Sequence, residues 1–563
     1  MLDAGIGDFA GPTDTVLPPG LRVVLDRRAR RLDGGAVLLG GAPPRMLHLA
    51  PVARALLADG GAFTVVDATS AALARRLLDV GIAHPAAGAR DATPADVTVV
   101  VPVKDRTAGL ERLLAALSLG SAAIPPGPAA ALSLGSAAIP PGPAAALPPG
   151  PGGPPPGLGG LVVVDDGSTD PGSVRAVAER FGARLLRYDV PRGPAAARNA
   201  GLAVCATPLV AFLDSDVVPE PDWLPPLLAL FADPAVGLAA PRIVALPPVR
   251  GWLGRYEAVR SSLDLGLDPA LVVPRSRVAY VPSAALVVRR VAVGEGFDER
   301  MRVAEDIDLV LRLYGAGWRL RYEPSSRVAH DHRSTLYAWW SRKAYYGTGA
   351  APLALRHPGA VPPMVLSPWS AVVGALLLLS RPRALLFAGL VSAVAAERLA
   401  RRLERVQHPR ATAARLIGLS TVAAVAQTAD AVNRHYWPLS MVASLVSARA
   451  RSTVTVVALV QGVVDWLRHR GRHPGVRPSL PGYLLAHRID DLAYGAGLWW
   501  GALRHRTVAP LLPGWARHLR SDATRSTPRR HGRRSTPRRR WRRASRVPSW
   551  TLATATRSPA PSR

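Results

Sequence analysis

From Val97 onward the chain alternates unbroken apolar runs with segments of helical spacing. "VTVVVPV" reads as a fully buried strand, "TAGLERLLAAL" as a helix, and "GLVVVDDGSTD" as a second buried strand ending in acids. "SVRAVAERFG" predicts a helix, "ARLLRYD" a third strand, "AAARNAGLAVC" a helix and "LVAFLDSD" a fourth strand. Elements alternating in this way predict an α/β fold, a parallel sheet with helices on both faces. In such a sheet ligands bind beyond the carboxyl ends of the strands. Asp105, Asp165, Asp166, Asp214 and Asp216 all fall at those ends.

The flanks carry other patterns. Residues 21–85 read as a small separate unit. "LRVVLD" and "AVLLGG" are strands joined through a turn at Asp33–Gly35. "PVARALLADG" and "SAALARRLLDVGIAHP" have helical spacing, with Leu73, Leu77, Leu78 and Ile82 on one face. Two strands followed by helices predict a winged-helix-like module over residues 1–90. Beyond Pro362 come apolar blocks at 364–379, 384–396, 414–432, 437–448 and 452–467. A membrane span needs about 20 apolar residues, and most of these blocks are shorter. Arg flanks most of them, which favours membrane association over a soluble helical core. Spans, embedded hairpins and interfacial helices all remain open for 360–515.

Two stretches break the pattern. "ALSLGSAAIPPGPAA" stands twice in tandem at 116–130 and 131–145. It belongs to a Pro/Gly-rich insertion, 118–160, where a connection of about 2–6 residues is usual; a tolerated surface loop is expected. Residues 516–563 form an Arg-rich tail, with 15 Arg from Arg517 onward against the single acid Asp522. The tail lacks the apolar content to fold and is expected to be disordered.

Composition narrows the function. The chain has 563 residues, formal net charge +30, 48% hydrophobic residues and a mean hydropathy of +0.14. The lone Cys205 excludes internal disulfides and multi-cysteine metal sites, which suits a reducing compartment. No secretory signal is read in the first 20 residues. The basic tail could attract nucleic acid, but only Trp541 and Trp550 stand among its arginines to stack bases. No nucleic-acid partner is expected.

The chemistry-bearing residues are acids, which are scarce in so basic a chain. In "FLDSD", Asp214 and Asp216 alternate to the same side of a strand end. Such a pair suits a hard divalent cation, Mg²⁺ or Mn²⁺, that keeps coordination positions for substrate phosphates. A metal bridging a diphosphate neutralises the charge that grows as the diphosphate leaves. In "VAEDIDLVLRLYGAGWRL", Glu305 and Asp306 open a helix. They either complement its dipole or supply an ionised general base.

In order, "VVVPVKDR", "VVVDDGSTD", "RGPAAARNAGL", "FLDSD", "GFDERM" and "AEDIDLVLRLYGAG" resemble the inverting family 2 glycosyltransferases of GT-A fold. The resemblance implies a GT-A nucleotide-diphospho-sugar transferase domain over 95–345, using UDP-sugars. It implies nucleotide contacts from Pro102, Asp105, Asp165 and Asp166, and a place near the diphosphate for Arg198. Asp214 would meet ribose or metal and Asp216 the metal. His330 and His332 match further ligand positions, or are surface residues. Asp306 would be the general base, with Glu305 beside it. "LDRRARRLDGGAVLLGGAPPRMLHL", "ARRLLDVGIAHP" and "RIDDLAYGAGLWWGALRHRTVAPLLP" are similar to the mycofactocin-system branch of that family. That likeness implies UDP-glucose as donor, a peptide-derived redox cofactor (mycofactocin or its precursor) as acceptor, and a β-1,4-linked product. A polyprenyl phosphate or cell-wall glycan acceptor is the alternative. The cell membrane, with the catalytic domain on its cytoplasmic side, is the expected location, and the cytoplasm the alternative. The N-terminal module also resembles small peptide-binding domains that hold a strand by edge pairing; a plain structural cap is the other reading.

Overall fold

A computed structural model of the chain describes residues 12, 16–86, 92–120, 157–333, 335–379, 381–404, 406–473 and 475–515. The tail 516–563 and most of the insertion, 121–156, lie outside the described residues, so the expectations for both stand as sequence readings.

The N-terminal module runs β1 (Arg22–Leu25), β2 (Arg30–Leu32), β3 (Val37–Gly40), β4 (Arg45–His48), α1 (Pro51–Leu56), β5 (Ala62–Thr64), α2 (Ala68–Asp79) and β6 (Ala83–Ala86). It holds two antiparallel three-stranded sheets, β5-β1-β6 and β2-β3-β4, rather than two strands followed by helices. The turn at Asp33–Gly35 joins β2 to β3, so β1 and β3 sit in different sheets. The expected second helix ends at Asp79, and "IAHP" turns back as β6 against β1. Asp67 caps α2, accepting from the Ser70 amide at 2.7 Å. Leu77, Leu78 and Ile82 are fully buried. The module is tied to the main sheet by charge: the Arg321 side chain, 1% exposed, donates to the Leu78 carbonyl at 3.1 Å.

The central region follows the sequence reading closely in its first half. β7 (Val97–Val103), α3 (Thr107–Gly120), β8 (Gly160–Asp166), α4 (Pro171–Arg180), β9 (Arg184–Tyr188), α5 (Pro194–Ala203) and β10 (Leu209–Leu213) come in the expected order. Next are β11 (Val217–Pro219), α6 (Pro225–Leu230), β12 (Val236–Ala245), α7 (Gly251–Arg260), β13 (Ala270–Leu271), β14 (Ala285–Arg289), α8 (Arg290–Val293), α9 (Glu305–Gly315) and β15 (Arg319–His330). The sheet order is β11-β15-β12-β14-β10-β7-β8-β9, with β13 on β15. It is mixed rather than parallel: β14 runs antiparallel to both β10 and β12. Every residue of β7 and β10 is buried, which explains why those strands read as unbroken apolar runs.

The apolar blocks beyond Pro362 are helices. After α10 (Leu336–Thr348) and α11 (Ala350–Arg356) come α12 (Pro368–Leu378), α13 (Pro382–Arg402), α14 (Pro409–Asp430), α15 (Trp437–Val446), α16 (Ala448–His469) and α17 (Leu480–Arg504). Among the described residues no helix is long and apolar enough to cross a membrane; the spanning option is withdrawn. Glycine lets α10 and α17 touch backbone to backbone. A Cβ at Gly497 would stand 1.7 Å from the Ala344 carbonyl oxygen, and one at Gly347 2.2 Å from that of Tyr494.

Candidate active site

Four residues expected to touch the nucleotide divide into one open group and three structural ones. Pro102 is buried inside β7, paired with Val164 of β8. Asp165 is fully buried; it accepts from the Ser168 amide at 2.9 Å and pairs with Arg187. The Asp166 carboxylate accepts from the Arg192 amide at 2.6 Å and the Gly193 amide at 2.9 Å, which fixes the entry to α5. Asp105 remains exposed beyond β7, in the left-handed region at φ +52°. It accepts from the Thr169 amide at 2.7 Å. That bond holds its carboxyl below the usual carboxylate range.

Arg198 is engaged by two acids. It is 3% exposed, and its guanidinium donates to Asp214 Oδ1 at 2.6 Å and Glu305 Oε1 at 3.0 Å. Burial disfavours its charge, but Asp214 and Glu305 outweigh burial and hold it above the ordinary arginine value. Its guanidinium carbon also stands 5.3 Å from the Phe297 ring centroid. The bridge ties the end of β10 to the start of α9. Glu305 is therefore engaged rather than free for proton transfer, and burial followed by the Asp306 charge raises its carboxyl above the usual value.

Asp306 is held differently. Its Oδ2 accepts from the Ser283 amide at 3.1 Å and its Oδ1 from the Ile307 amide at 2.8 Å. Ala304, just before α9, adopts φ +65°. Such backbone is costly for a residue with a Cβ, and it sets the angle at which Glu305 and Asp306 leave the helix. Asp308, in the same "EDID", is fully buried between Arg312 at 2.7 Å and His357 at 2.8 Å.

The expected metal set of Asp214, Asp216, His330 and His332 is not assembled. Among the described residues no three His, Cys, Asp or Glu side chains form a metal-holding group. Asp214 is drawn to Arg198, and His332 Nδ1 lies 3.6 Å from Glu257 Oε2. A smaller pair does fit a cation. Asp216 Oδ1 is buried with no hydrogen-bond partner, 3.6 Å from His330 Nε2. Burial pushes the His330 imidazole down to about 4, leaving a neutral nitrogen to act as a ligand.

Several residues around this pair carried little sequence signal. Arg106 reaches Asp216 Oδ2 at 3.2 Å; it follows Asp105 in "KDR" and could have been read there. Arg333 is held below the usual arginine value, first by burial and then by Arg342 and Arg106, so three cations crowd this rim. Behind it, Glu257 accepts from Trp339 Nε1 at 2.8 Å and pairs with Lys343 at 3.0 Å. Lys343 in turn lies 3.6 Å from Asp490 of α17. Ser283, the anchor of Asp306, sits in an unmarked "VPSAAL" and gave no sign.

Comparison with known proteins places the chain in a family. The family model "Glycosyl transferase family 2" matches residues 160–292. The chain is 30% identical over 177 residues to the succinoglycan biosynthesis protein ExoU of Rhizobium meliloti, covering 29% of this chain and 50% of that one. A solved mannosyltransferase from Pyrobaculum calidifontis, in complex with GDP-Man and Mn²⁺, aligns over 58% of this chain and 85% of its own. Its TM-score is 0.31 at 21% identity, too low to inform the site. The pre-mycofactocin glycosyltransferase of Mycobacterium tuberculosis is 44% identical over 506 residues, 89% of this chain and 99% of the relative. On that near-complete match the chain belongs to the pre-mycofactocin glycosyltransferase family and is a glycosyltransferase of family 2.

Proposed function

We propose that the protein transfers glucose from UDP-glucose, with inversion, to a mycofactocin precursor and extends it as a β-1,4-linked oligosaccharide. The observation supporting the chemistry is the Arg198 bridge, which brings Asp214 and Glu305 onto one guanidinium, with Asp216 two residues beyond the first and Asp306 next to the second. The full-length match to a pre-mycofactocin glycosyltransferase supports the acceptor. Asp306 Oδ2 takes the proton of the acceptor hydroxyl. That oxygen attacks the anomeric carbon from the face opposite the leaving UDP. The C–O bond to the diphosphate breaks as the new glycosidic bond forms, and an α-linked donor gives a β-linked product. Asp105 is placed for the base or ribose. Arg106, Arg333 and Arg342 supply positive charge for the diphosphate, the role the sequence reading gave to Arg198. Asp216 and His330 would hold a divalent cation, whose chemistry is to neutralise the departing diphosphate.

Incubation of the protein with UDP-glucose and a mycofactocin precursor, followed by mass spectrometry, should give a ladder of hexose additions sensitive to a β-glucosidase. A ladder on polyprenyl phosphate, and none on the precursor, would move the acceptor to the alternative.

A further inference from the structure

The helical region leaves apolar surface uncovered in an ordered way. On α16, Val456, Leu459, Val460, Val464 and Leu467 are 57, 53, 57, 37 and 51% exposed. Their spacing of three and four residues makes one stripe along the helix. Gln461, Gly462 and Asp465 between them face inward; Gln461 bonds Asp430 at 2.7 Å and Asp465 bonds Arg260 at 2.9 Å. The stripe runs to the C-terminal end of α16, which is about 33 Å long at ~1.5 Å per residue.

A basic cavity opens where the stripe ends. It has a volume of about 730 Å³ and is lined by Leu467 together with Arg28, Arg260, Arg277, Arg468, Arg470 and Arg472. Its two acids are already engaged, Asp264 by Arg242 at 2.8 Å and Asp268 by Arg28. Arg260 is likewise paired, with Asp465. Among the described residues Arg277 donates only to the backbone carbonyls of Asp268 and Pro269, at 3.2 and 2.9 Å. The Arg470 guanidinium carbon lies 4.7 Å from the Trp466 ring centroid. Arg468, Arg470 and Arg472 make no ion pair among the described residues. Burial first, and then the Arg28 charge, lowers Arg277 from the usual arginine value.

This cavity is not part of the candidate active site. Gly266 on its wall accepts from Tyr322 near the start of β15, whereas His330 ends that strand. Tyr322 pairs with Ala240 of β12 and His330 with Ala245, because β15 bulges between Glu323 and Arg327; five residues of β12, roughly 17 Å at ~3.3 Å per residue, separate them.

We propose that α16 lies on the surface of an anionic phospholipid bilayer, its apolar stripe in the acyl boundary and a lipid phosphate in the arginine cavity at its end. The two features are complementary to one occupant. An interfacial helix needs an apolar face and nearby cations, and contacts of each kind add to binding. A free phosphate would use the cavity and leave the stripe in water. A second copy of the chain would cover the stripe but bring a like-charged cavity against the first. The proposal is independent of the transfer chemistry.

The test uses the full chain, so that the basic tail is present in every arm. Protein is sedimented with vesicles of phosphatidylcholine alone and with vesicles containing phosphatidylglycerol. The wild type should partition onto the phosphatidylglycerol vesicles and leave them at high salt. Leu459→Asp with Leu467→Asp, and separately Arg468→Glu with Arg470→Glu, should each lower partitioning about tenfold or more. Circular dichroism and transfer activity in vesicle-free solution should stay at wild-type values in both, since neither pair touches the candidate active site. Unchanged partitioning of both variants would assign binding to the tail and overturn the proposal. So would a wild type that ignores the vesicles, whether it binds inorganic phosphate alone or is a dimer in light scattering that Leu459→Asp splits. Lost transfer with intact vesicle binding would count against the proposed function and leave the docking standing.

Discussion

The central sheet and the C-terminal helices are built to opposite rules. Across 97–332 the large apolar side chains left exposed are Val190, Trp252, Leu267, Val291 and Tyr314, five in all among the described residues. From α12 to α16, a stretch less than half as long, twenty such side chains are exposed, from Val372 to Leu467. Isolated exposed apolar residues are ordinary, but a concentration of them marks a surface meant to be covered. The sheet hides its apolar residues and organises its acids, while the helices do the reverse. Catalytic geometry thus belongs to the first region and contact with surroundings to the second. The two meet at α10 and α17.

That division can be broken by experiment, and the largest effect expected is in the sheet. Asp306→Asn should lower kcat by about 10²–10⁴ with donor binding kept, measured by UDP release and by donor titration. A normal rate would remove Asp306 from the role of base. Next comes Arg198→Met. It leaves Glu305 buried without its cation, beside a partly exposed Asp214, and unfolding in denaturant should show a loss of about 3 kcal/mol. A loss below about 1 kcal/mol would mean that water, not the guanidinium, compensates those acids. Glu257→Gln should weaken donor binding about tenfold and, because it takes from the buried Lys343 its nearest carboxylate, also lower stability. Restored affinity at raised Mn²⁺ would mark its action as passing through His332 and His330. The smallest effect belongs to the helices: Val456→Ser on the open stripe should change stability by no more than about 0.5 kcal/mol. A cost of several times that figure would show the stripe to be packed in solution and would erase the contrast between the regions.

The same contrast explains what the sequence could reveal. β7, β8 and β10 were legible because burial on both faces writes an unbroken apolar run, and α9 because its leucines repeat on one face. The antiparallel insertion of β14 was not, since strand direction leaves no mark on composition. Among the acids, Asp214 and Asp216 follow the end of β10 and Asp306 lies in the first turn of α9, as their motifs imply. Asp165 is buried and engaged, since a carboxylate at a strand end reads the same whether it faces ligand or, as here, Arg187 and the Ser168 amide. Arg198 was found but given the wrong partner; a helix written "AAARNAG" says that the arginine is inward and not which carboxylates await it. The "RIDD" of α17 matched a known branch, yet its physical meaning, Asp490 beside Lys343, needed α10 to be folded against it.

That last contact has a consequence for how the molecule can be cut. From His332, which burial keeps neutral, contacts pass to Glu257, through Lys343 of α10 and on to Asp490 of α17. Removing the last helix would take Asp490 from Lys343, a buried ammonium on α10, and leave it to Glu257 alone. The transferase is not a catalytic cassette with a detachable appendage; its final helix is the keystone of the cleft, and folding should be complete only once residues near 490 have arrived.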